Sequence, residues 1–352
     1  RNDDLFGAGT RDDNVDCGES WCPPPLFAQD GAREMFRVTH GSARRSSLRM
    51  DSITNRETAS AESAARLASF DQYRGLLFSV AYRMLGSVAD AEDMLQETFL
   101  RWQQAAEEEI RSPRAFLVTI ISRLSINHLQ SARAQREEYF GEWLPEPLVT
   151  DERSDPLWLV RVDETLSMAF LVLLERLTPV ERAVFLLREV FEYEYTEIAE
   201  VLRLSEANCR QILRRARQHV NAMRQRFKPS RRKQTELLER FLQATTSGDM
   251  DGLMALLAQD VVLHSDGGGK GPAVPNSVLG ADRVARGVLG GLKKLPKGLT
   301  RRIVEVNGEP GVAGYLDGKP FSVLTLESRE GLVRAIYLVT NPEKLAHVPP
   351  LP

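Results

Sequence analysis

Residues 205–220 read SEANCRQILRRARQHV and place four arginines in sixteen positions of a 352-residue chain whose formal net charge is only −3. At about 100° per residue, Cys209, Ile212, Leu213, Ala216 and Val220 share one face of a helix, and Arg210, Gln211, Arg214, Arg215 and Arg217 take up the rest. A guanidinium and amide face on an apolar-backed helix suits bidentate contacts to guanine and adenine edges, and to phosphates, in a major groove. A solvated charged surface is the plain alternative for a lone basic helix. The preceding residues favour nucleic acid. TEIAEVL (196–202) spells a second short helix and Arg203, Leu204 and Ser205 a three-residue turn, which together predict a helix-turn-helix.

Upstream, LTPVE (177–181) is a capping box with proline inside it, opening the helix ERAVFLLREVFE. Further back, Phe70, Tyr73, Leu77, Val80, Ala81, Met84 and Leu85 form one helical stripe that Gly86 ends. Ser87 then caps GSVADAEDMLQETFLRW, with Met94, Leu95, Thr98 and Trp102 inward, and Ser112-Pro113 opens RAFLVTIISRLSINHLQSARAQR. Ile120, Ile121 and Leu124 read as core. Between these helical blocks, residues 137–156 hold three prolines, seven acids and one arginine, the composition of a linker.

Charge is segregated along the chain. Residues 88–110 carry seven acids and one arginine, residues 111–136 five arginines and no acid, and residues 196–233 eleven cations against three acids. Two basic blocks and one acidic block call for a polyanion and a separate basic or mixed partner. No apolar run approaches the roughly 20 residues that cross a bilayer, so a cytoplasmic protein with no membrane partner is expected. Cys17, Cys22 and Cys209 are too few and too scattered for a disulfide framework or a zinc site, so no metal and no cofactor are expected. The first 49 residues lack either periodicity and read as an unstructured or non-native extension, with Met50 as the native start.

DAEDMLQETFLRW followed by SPRAFLVTIISRLSINHL, and later LTPVERAVFLLREVFEYEYTEIAEVLRLSEANCRQILRRAR, closely resemble regions 2 and 4 of the extracytoplasmic-function (ECF) group of bacterial sigma factors. The resemblance implies a transcription initiation factor that binds core RNA polymerase and promoter DNA, and not an enzyme. It places Asp90, Asp93 and Glu97 on the polymerase-docking helix. Arg123, Asn127, His128, Gln130 and Arg133 fall at minus-ten contacts, where cationic and amide side chains suit phosphates and an extruded base. Arg210, Gln211, Arg214, Arg215 and Arg217 fall at the minus-thirty-five element. The sequence departs from the family at Arg123, where asparagine is common.

Ordinary members end soon after region 4, but here two helices, a further helix near Asp282 and a β-rich tail with Asn-Gly, Asp-Gly and Glu-Gly turns predict an α+β domain. It resembles the SnoaL-like cone of polyketide cyclases and nuclear-transport-factor-like proteins. WLPEP (Trp143, Leu144, Pro145, Glu146, Pro147), DGGGK (Asp266, Gly267, Gly268, Gly269, Lys270) and NPEKL (Asn341, Pro342, Glu343, Lys344, Leu345) resemble the hallmarks of the sigma subgroup with this fusion, with Glu343 where aspartate is usual. Asp266 to Lys270 lacks Walker spacing and is no phosphate loop.

The expected organisation is therefore an extension (1–49), region 2 (50–136), an acidic linker (137–162), region 4 (163–232) and a SnoaL-like domain (233–352). The fold is two all-α domains plus an α+β cone. The last domain is expected to pack on region 2 and the linker and to regulate in cis, with an unknown small molecule in the cone as a further partner. Two rivals share parts of this pattern: a ligand-responsive helix-turn-helix regulator, and a polyketide-cyclase-like enzyme with a DNA-binding appendage. Neither accounts for the ordered pair of sigma-like blocks.

Overall fold

A computed structural model describes residues 47–106, 110, 112–137, 139–150, 166–221 and 230–351. The chain divides into two units, residues 1–55 and 56–352, and the second carries every element after the start of the first helix. The expectation of an unstructured start falls outside the described residues, apart from the last positions before Met50. There the first helix, α1, already begins and runs over Ser47–Leu85. It starts well before Phe70 because no glycine or proline interrupts residues 47–69.

Helices α2 (Val88–Gln104) and α3 (Pro113–Glu137) pack on α1. The expected caps are present: Asp90 N donates to Ser87 Oγ at 3.2 Å and Ala115 N to Ser112 Oγ at 3.4 Å. Ile121 is buried with Leu117, Val118 and Leu129, whereas Ile120 and Leu124 are half-buried. The second block holds α4 (Met168–Leu174), α5 (Pro179–Glu189), α6 (Tyr195–Leu202) and α7 (Glu206–Asn221). The capping box at Thr178 and Glu181 opens α5. Arg203 turns α6 into α7 with φ 54°, the left-handed conformation that ends a helix abruptly. Cys209, Ile212, Leu213, Ala216 and Val220 are all buried, and each large apolar side chain so placed is worth about 1.5–3 kcal/mol. Hydrophobic side chains of both helical blocks join in one cluster.

The third block is α+β. Helices α8 (Arg231–Ser247), α9 (Met250–Leu256) and α10 (Ala281–Leu292) cover one face of a seven-stranded sheet. Its strands are β1 (Val149–Thr150), β2 (Leu257–Asp266), β3 (Val278–Leu279), β4 (Thr300–Val306), β5 (Glu309–Leu316), β6 (Lys319–Arg329) and β7 (Leu332–Val339). Their order is β1-β4-β5-β6-β7-β2-β3, antiparallel except for β2 beside β7. The hairpins turn at Asn307-Gly308, Asp317-Gly318 and Glu330-Gly331, every residue of which has positive φ, as type I′ hairpin turns require.

The linker differs from its composition. Residues 144–150 are buried rather than solvated, and Val149 and Thr150 pair with Val306 and Glu305 as the edge strand β1. Leu144 and Val149 join Met168 of α4 and Leu345 and Val348 of the tail in covering the sheet face that α8 to α10 leave open. Prolines and acids are tolerated there because the remaining backbone groups find partners far along the chain.

Candidate functional site

Three surfaces carry chemistry. On α7, Arg210, Gln211, Arg214, Arg215 and Arg217 are all exposed, because the apolar stripe fixes the helix against α5 and α6 and turns the cations outward. Carboxylates and an aromatic ring hold most of them in place. Arg210 pairs with Glu206 at 2.7 Å, and its guanidinium lies 4.8 Å from the ring centroid of Tyr195, whose ring also lies 4.9 Å from Arg188. Arg217 pairs with Glu189 at 2.6 Å, and Arg215 approaches Glu181 at 3.7 Å. Arg214 has no carboxylate partner among the described residues.

On region 2, Asp93 is exposed, while Asp90 and Glu97 are half-buried on the same side of α2. Glu97 pairs with Arg101 at 2.8 Å, and Asp90 lies 3.5 Å from His128 Nε2 of α3, so the candidate polymerase and minus-ten residues touch there. Asn127 and Gln130 are exposed on α3; Arg133 lies on the same helix, with its side chain outside the described residues. Arg123 is engaged elsewhere: its Nε donates to the carbonyl of Val201 at 2.8 Å and its Nη2 to that of Glu200 at 3.1 Å, at the C-terminus of α6. Burial, and then the neighbouring Arg203, lower its pKa. The family's asparagine is too short for this reach between blocks.

The third surface is the junction where the WLPEP, DGGGK and NPEKL segments meet. Asp266, at the end of β2, has no exposed surface. Its Oδ1 accepts from Tyr139 OH at 2.6 Å and from Gly268 N at 3.0 Å. Its Oδ2 accepts from Leu144 N at 2.8 Å and Lys344 Nζ at 2.7 Å. Lys344 also donates to the Leu144 carbonyl and sits 4.0 Å from the centroid of the Trp143 ring, a cation–π contact strengthened by desolvation. Burial, followed by the Asp266 hydrogen bond, pushes the Tyr139 hydroxyl well above the usual tyrosine range, so it remains a donor. The glycines are needed at Gly268, which has φ 57° and whose Cβ would collide with Asn341. Lys270, by contrast, pairs with Glu343 at the surface, where such a pair contributes little. Leu345 is buried and Pro342 exposed.

A second knot ties the linker to region 2. Glu146 N donates to Gly86 O at 2.8 Å, Tyr82 OH to Glu146 O at 2.6 Å, and Val88 N to Glu146 Oε2 at 2.7 Å. Asn307 Nδ2 donates to Tyr82 OH at 2.7 Å, and Asn307 exchanges backbone and side-chain bonds with Leu148. Beside it, His347 Nδ1 meets Glu146 Oε1 at 2.7 Å. Sequence patterns did not single out Tyr82, Tyr139, His347 or Tyr195, and marked Glu146 only as part of WLPEP and Asn307 only as part of a turn. Tyr82 falls outside the apolar stripe of α1, so local periodicity gives it no mark. Among the described residues no group of three or more His, Cys, Asp or Glu is placed to hold a metal, and no helix is long and apolar enough to cross a membrane.

Comparison with known proteins finds two family models in the helical blocks. Sigma-70 region 2 matches residues 70–135 and sigma-70 region 4 matches residues 167–220. The chain is 39% identical over 298 residues to the ECF RNA polymerase sigma factor SigJ of Mycobacterium tuberculosis, covering 80% of this chain and 94% of SigJ. It is 31% identical over 281 residues to the probable ECF sigma factor SigI of the same species, covering 79% and 94%. The crystal structure of M. tuberculosis SigJ superposes with a TM-score of 0.67 at 37% identity, over 80% of this chain and 98% of that one. Since the likeness to SigJ runs through both helical blocks, the buried linker and the α+β domain alike, this chain belongs to the ECF sigma factors.

Proposed function

We propose that the chain directs core RNA polymerase to promoters and that its C-terminal domain restrains it in cis. Asp90, Asp93 and Glu97 of α2 dock on polymerase. Asn127, His128, Gln130 and Arg133 of α3 engage the minus-ten element, joined by Arg123 once it leaves α6, and the exposed face of α7 reads the minus-thirty-five element. The two elements are about 25 bp apart, roughly 85 Å of duplex at ~3.4 Å per base pair. Blocks sharing one hydrophobic cluster do not span that distance, so α3 and α6 part when promoter is engaged. The joined arrangement of the two blocks is then the resting state.

The observation that carries the regulatory reading is the buried Asp266 carboxylate, which draws Tyr139, Leu144 and Lys344, from linker and tail, onto the end of β2. Trp143, Leu144, Pro145, Asp266 to Lys270 and Asn341 to Leu345 form the clasp, with Asn341 Nδ2 donating to Tyr139 OH at 2.8 Å. In vitro transcription with core polymerase tests it. Trp143→Ala and Asn341→Ala should change promoter-directed transcript yield several-fold while the protein stays folded. Unchanged yield from both would remove the regulatory role, and failure of the wild-type protein to bind core polymerase would remove the initiation role.

A further inference from the structure

The C-terminal domain has a charge segregation that neither the clasp nor its own packing uses. Of sixteen Lys and Arg and thirteen Asp and Glu in residues 231–352, seven cations and no acid fall within residues 283–302. Arg283, Lys293, Lys294, Lys297, Arg301 and Arg302 are all exposed. None of the six has a carboxylate partner among the described residues; Arg301 donates only to Thr246 Oγ1, at 3.3 Å. Elsewhere in the domain cations are commonly neutralised: Arg232 by Glu236, Arg231 by Glu305, Arg334 by Asp260 and Lys344 by Asp266.

Position on α10 orders these charges. Ala281, Val284 and Ala285 are buried against the sheet and α9; at about 100° per residue Arg283 and Arg286 project from the opposite side, and Lys293 and Lys294 follow directly after the helix. Arg286 pairs with Asp282 within its own turn at 2.8 Å. The cationic side is floored by Gly287, Gly290 and Gly291, where an added Cβ would meet nothing within 4 Å. Glycine in a helix interior is unfavourable, and nothing inside the molecule requires it there. What bare backbone provides is close approach for something outside.

We propose that this face of α10, with the turn into β4, is a second DNA-contacting surface that grips the phosphate backbone of duplex flanking the minus-thirty-five element. The inference rests on the promoter-binding reading of α7. Duplex DNA carries about one negative charge per 1.7 Å of axis, a density that Arg283 near the start of this ~18 Å helix and the five unpaired cations that follow its end complement. Chain length bounds where this contact falls. Residues 222–230 join α7 to α8 and span at most about 30 Å, and α8 adds about 25 Å, so the patch reaches no farther than about 16 bp from the recognition helix. The contacts are to phosphate, so they lend affinity and salt dependence but no base preference.

The test uses the full chain with core polymerase and duplex promoter fragments whose flanks beyond the minus-thirty-five element are kept or trimmed. In a variant carrying Lys293→Gln, Lys294→Gln, Lys297→Gln and Arg302→Gln, the slope of log K against log salt should become shallower by about three to four. Trimming should weaken the wild type and leave the variant indifferent. These positions are exposed, so an unchanged thermal midpoint verifies folding. An unchanged slope with the wild-type response to trimming overturns the proposal. So does loss of polymerase binding without DNA, which would assign the patch to a protein partner, or binding to anionic vesicles with no effect on promoter, which would assign it to lipid. Arg214→Ala separates the two readings: if it loses minus-thirty-five discrimination while the quadruple variant behaves as wild type, only the second surface fails.

Discussion

The amide of Val88 donates to the carboxylate of Glu146 at 2.7 Å, across 58 positions of sequence. Val88 is the first residue of α2, and the first-turn amides of a helix have no partners within it. Ser87 Oγ serves Asp90 N, and Glu146 supplies the remaining half of the cap from the linker, accepting also from Ser87 Oγ at 3.3 Å. The helix that presents Asp90, Asp93 and Glu97 is thus held at its N-terminus by a negative charge delivered by the linker, the favourable sign for the helix dipole.

Removing that charge should loosen the candidate polymerase-docking helix from its first turn. Glu146→Ala strands a buried amide and is expected to cost about 1–3 kcal/mol in urea unfolding. Glu146→Gln keeps an acceptor and should cost less, about 0.3–2 kcal/mol for the charge itself. Both should raise amide exchange at residues 88–91 more than in α7. Equal exchange in the two helices would mean that Glu146 acts on stability in general and not on α2.

Asp266 predicts a larger effect. Asp266→Ala leaves the Lys344 ammonium, 11% exposed, without its carboxylate and deprives Leu144 N and Tyr139 OH of their acceptor. Breaking one side of a buried pair typically costs about 3–5 kcal/mol. Lys344→Met keeps an apolar stem against Trp143 and should cost less. A double-mutant cycle with the two changes should give a coupling of about 1–3 kcal/mol; additivity would show that the pair is not what closes the junction.

The contrast between α7 and the linker shows what a sequence reveals. The inner stripe of α7, the caps at Ser87, Ser112 and Thr178 and the three hairpin turns were legible because each is set by residues at most a few turns apart. The linker was not. Its prolines and acids spell solvated chain, yet the backbone groups of Leu144, Glu146 and Leu148 bond to the Asp266 carboxylate, the Gly86 carbonyl and the Asn307 amide, at sequence separations where periodicity carries no information. Asn307 read only as a turn residue; its side chain does a second task, bonding Tyr82 and Leu148. The motif resemblance found Asp266 and Lys344, but only the folded structure pairs them with each other.

Region 4 offers a prediction about rank among its arginines. Arg210 is restrained by Glu206 and by the ring of Tyr195, whereas Arg214 is unrestrained by any carboxylate among the described residues. Arg214→Ala should lose about 1–3 kcal/mol of discrimination at one base of the minus-thirty-five element. Tyr195→Phe, which keeps the aromatic face, should be near neutral. Tyr195→Leu removes it from between Arg188 and Arg210 and should relax preference at a different base, with a loss of about 0.5–1 kcal/mol. Binding to a panel of single-base promoter variants reads all three. If Tyr195→Leu weakened every promoter alike, Arg210 would be a phosphate contact and not a base reader.

Glu142 gives the pH dependence of the linker's docking. Its Oε1 meets His264 Nδ1 at 2.6 Å and its Oε2 accepts from Ser277 Oγ at 3.0 Å, while the His264 ring stacks on Tyr337 with centroids 5.1 Å apart. Burial works against the carboxylate's charge, but the His264 contact, with help from Ser277, outweighs it and holds the pKa below the usual carboxylate value. A folded-state pKa below that of the unfolded chain stabilises above the unfolded value and ceases to do so as pH falls through the folded one. The difference in thermal midpoint between wild type and Glu142→Gln should therefore be full near neutrality and shrink from about pH 4.3 downward. The variant should keep part of the contact, since an amide oxygen still accepts from Ser277. A difference that grew as the solution was acidified would reverse the sign, and would mean that the linker is held at this point by the protonated carboxyl and not by the charged one.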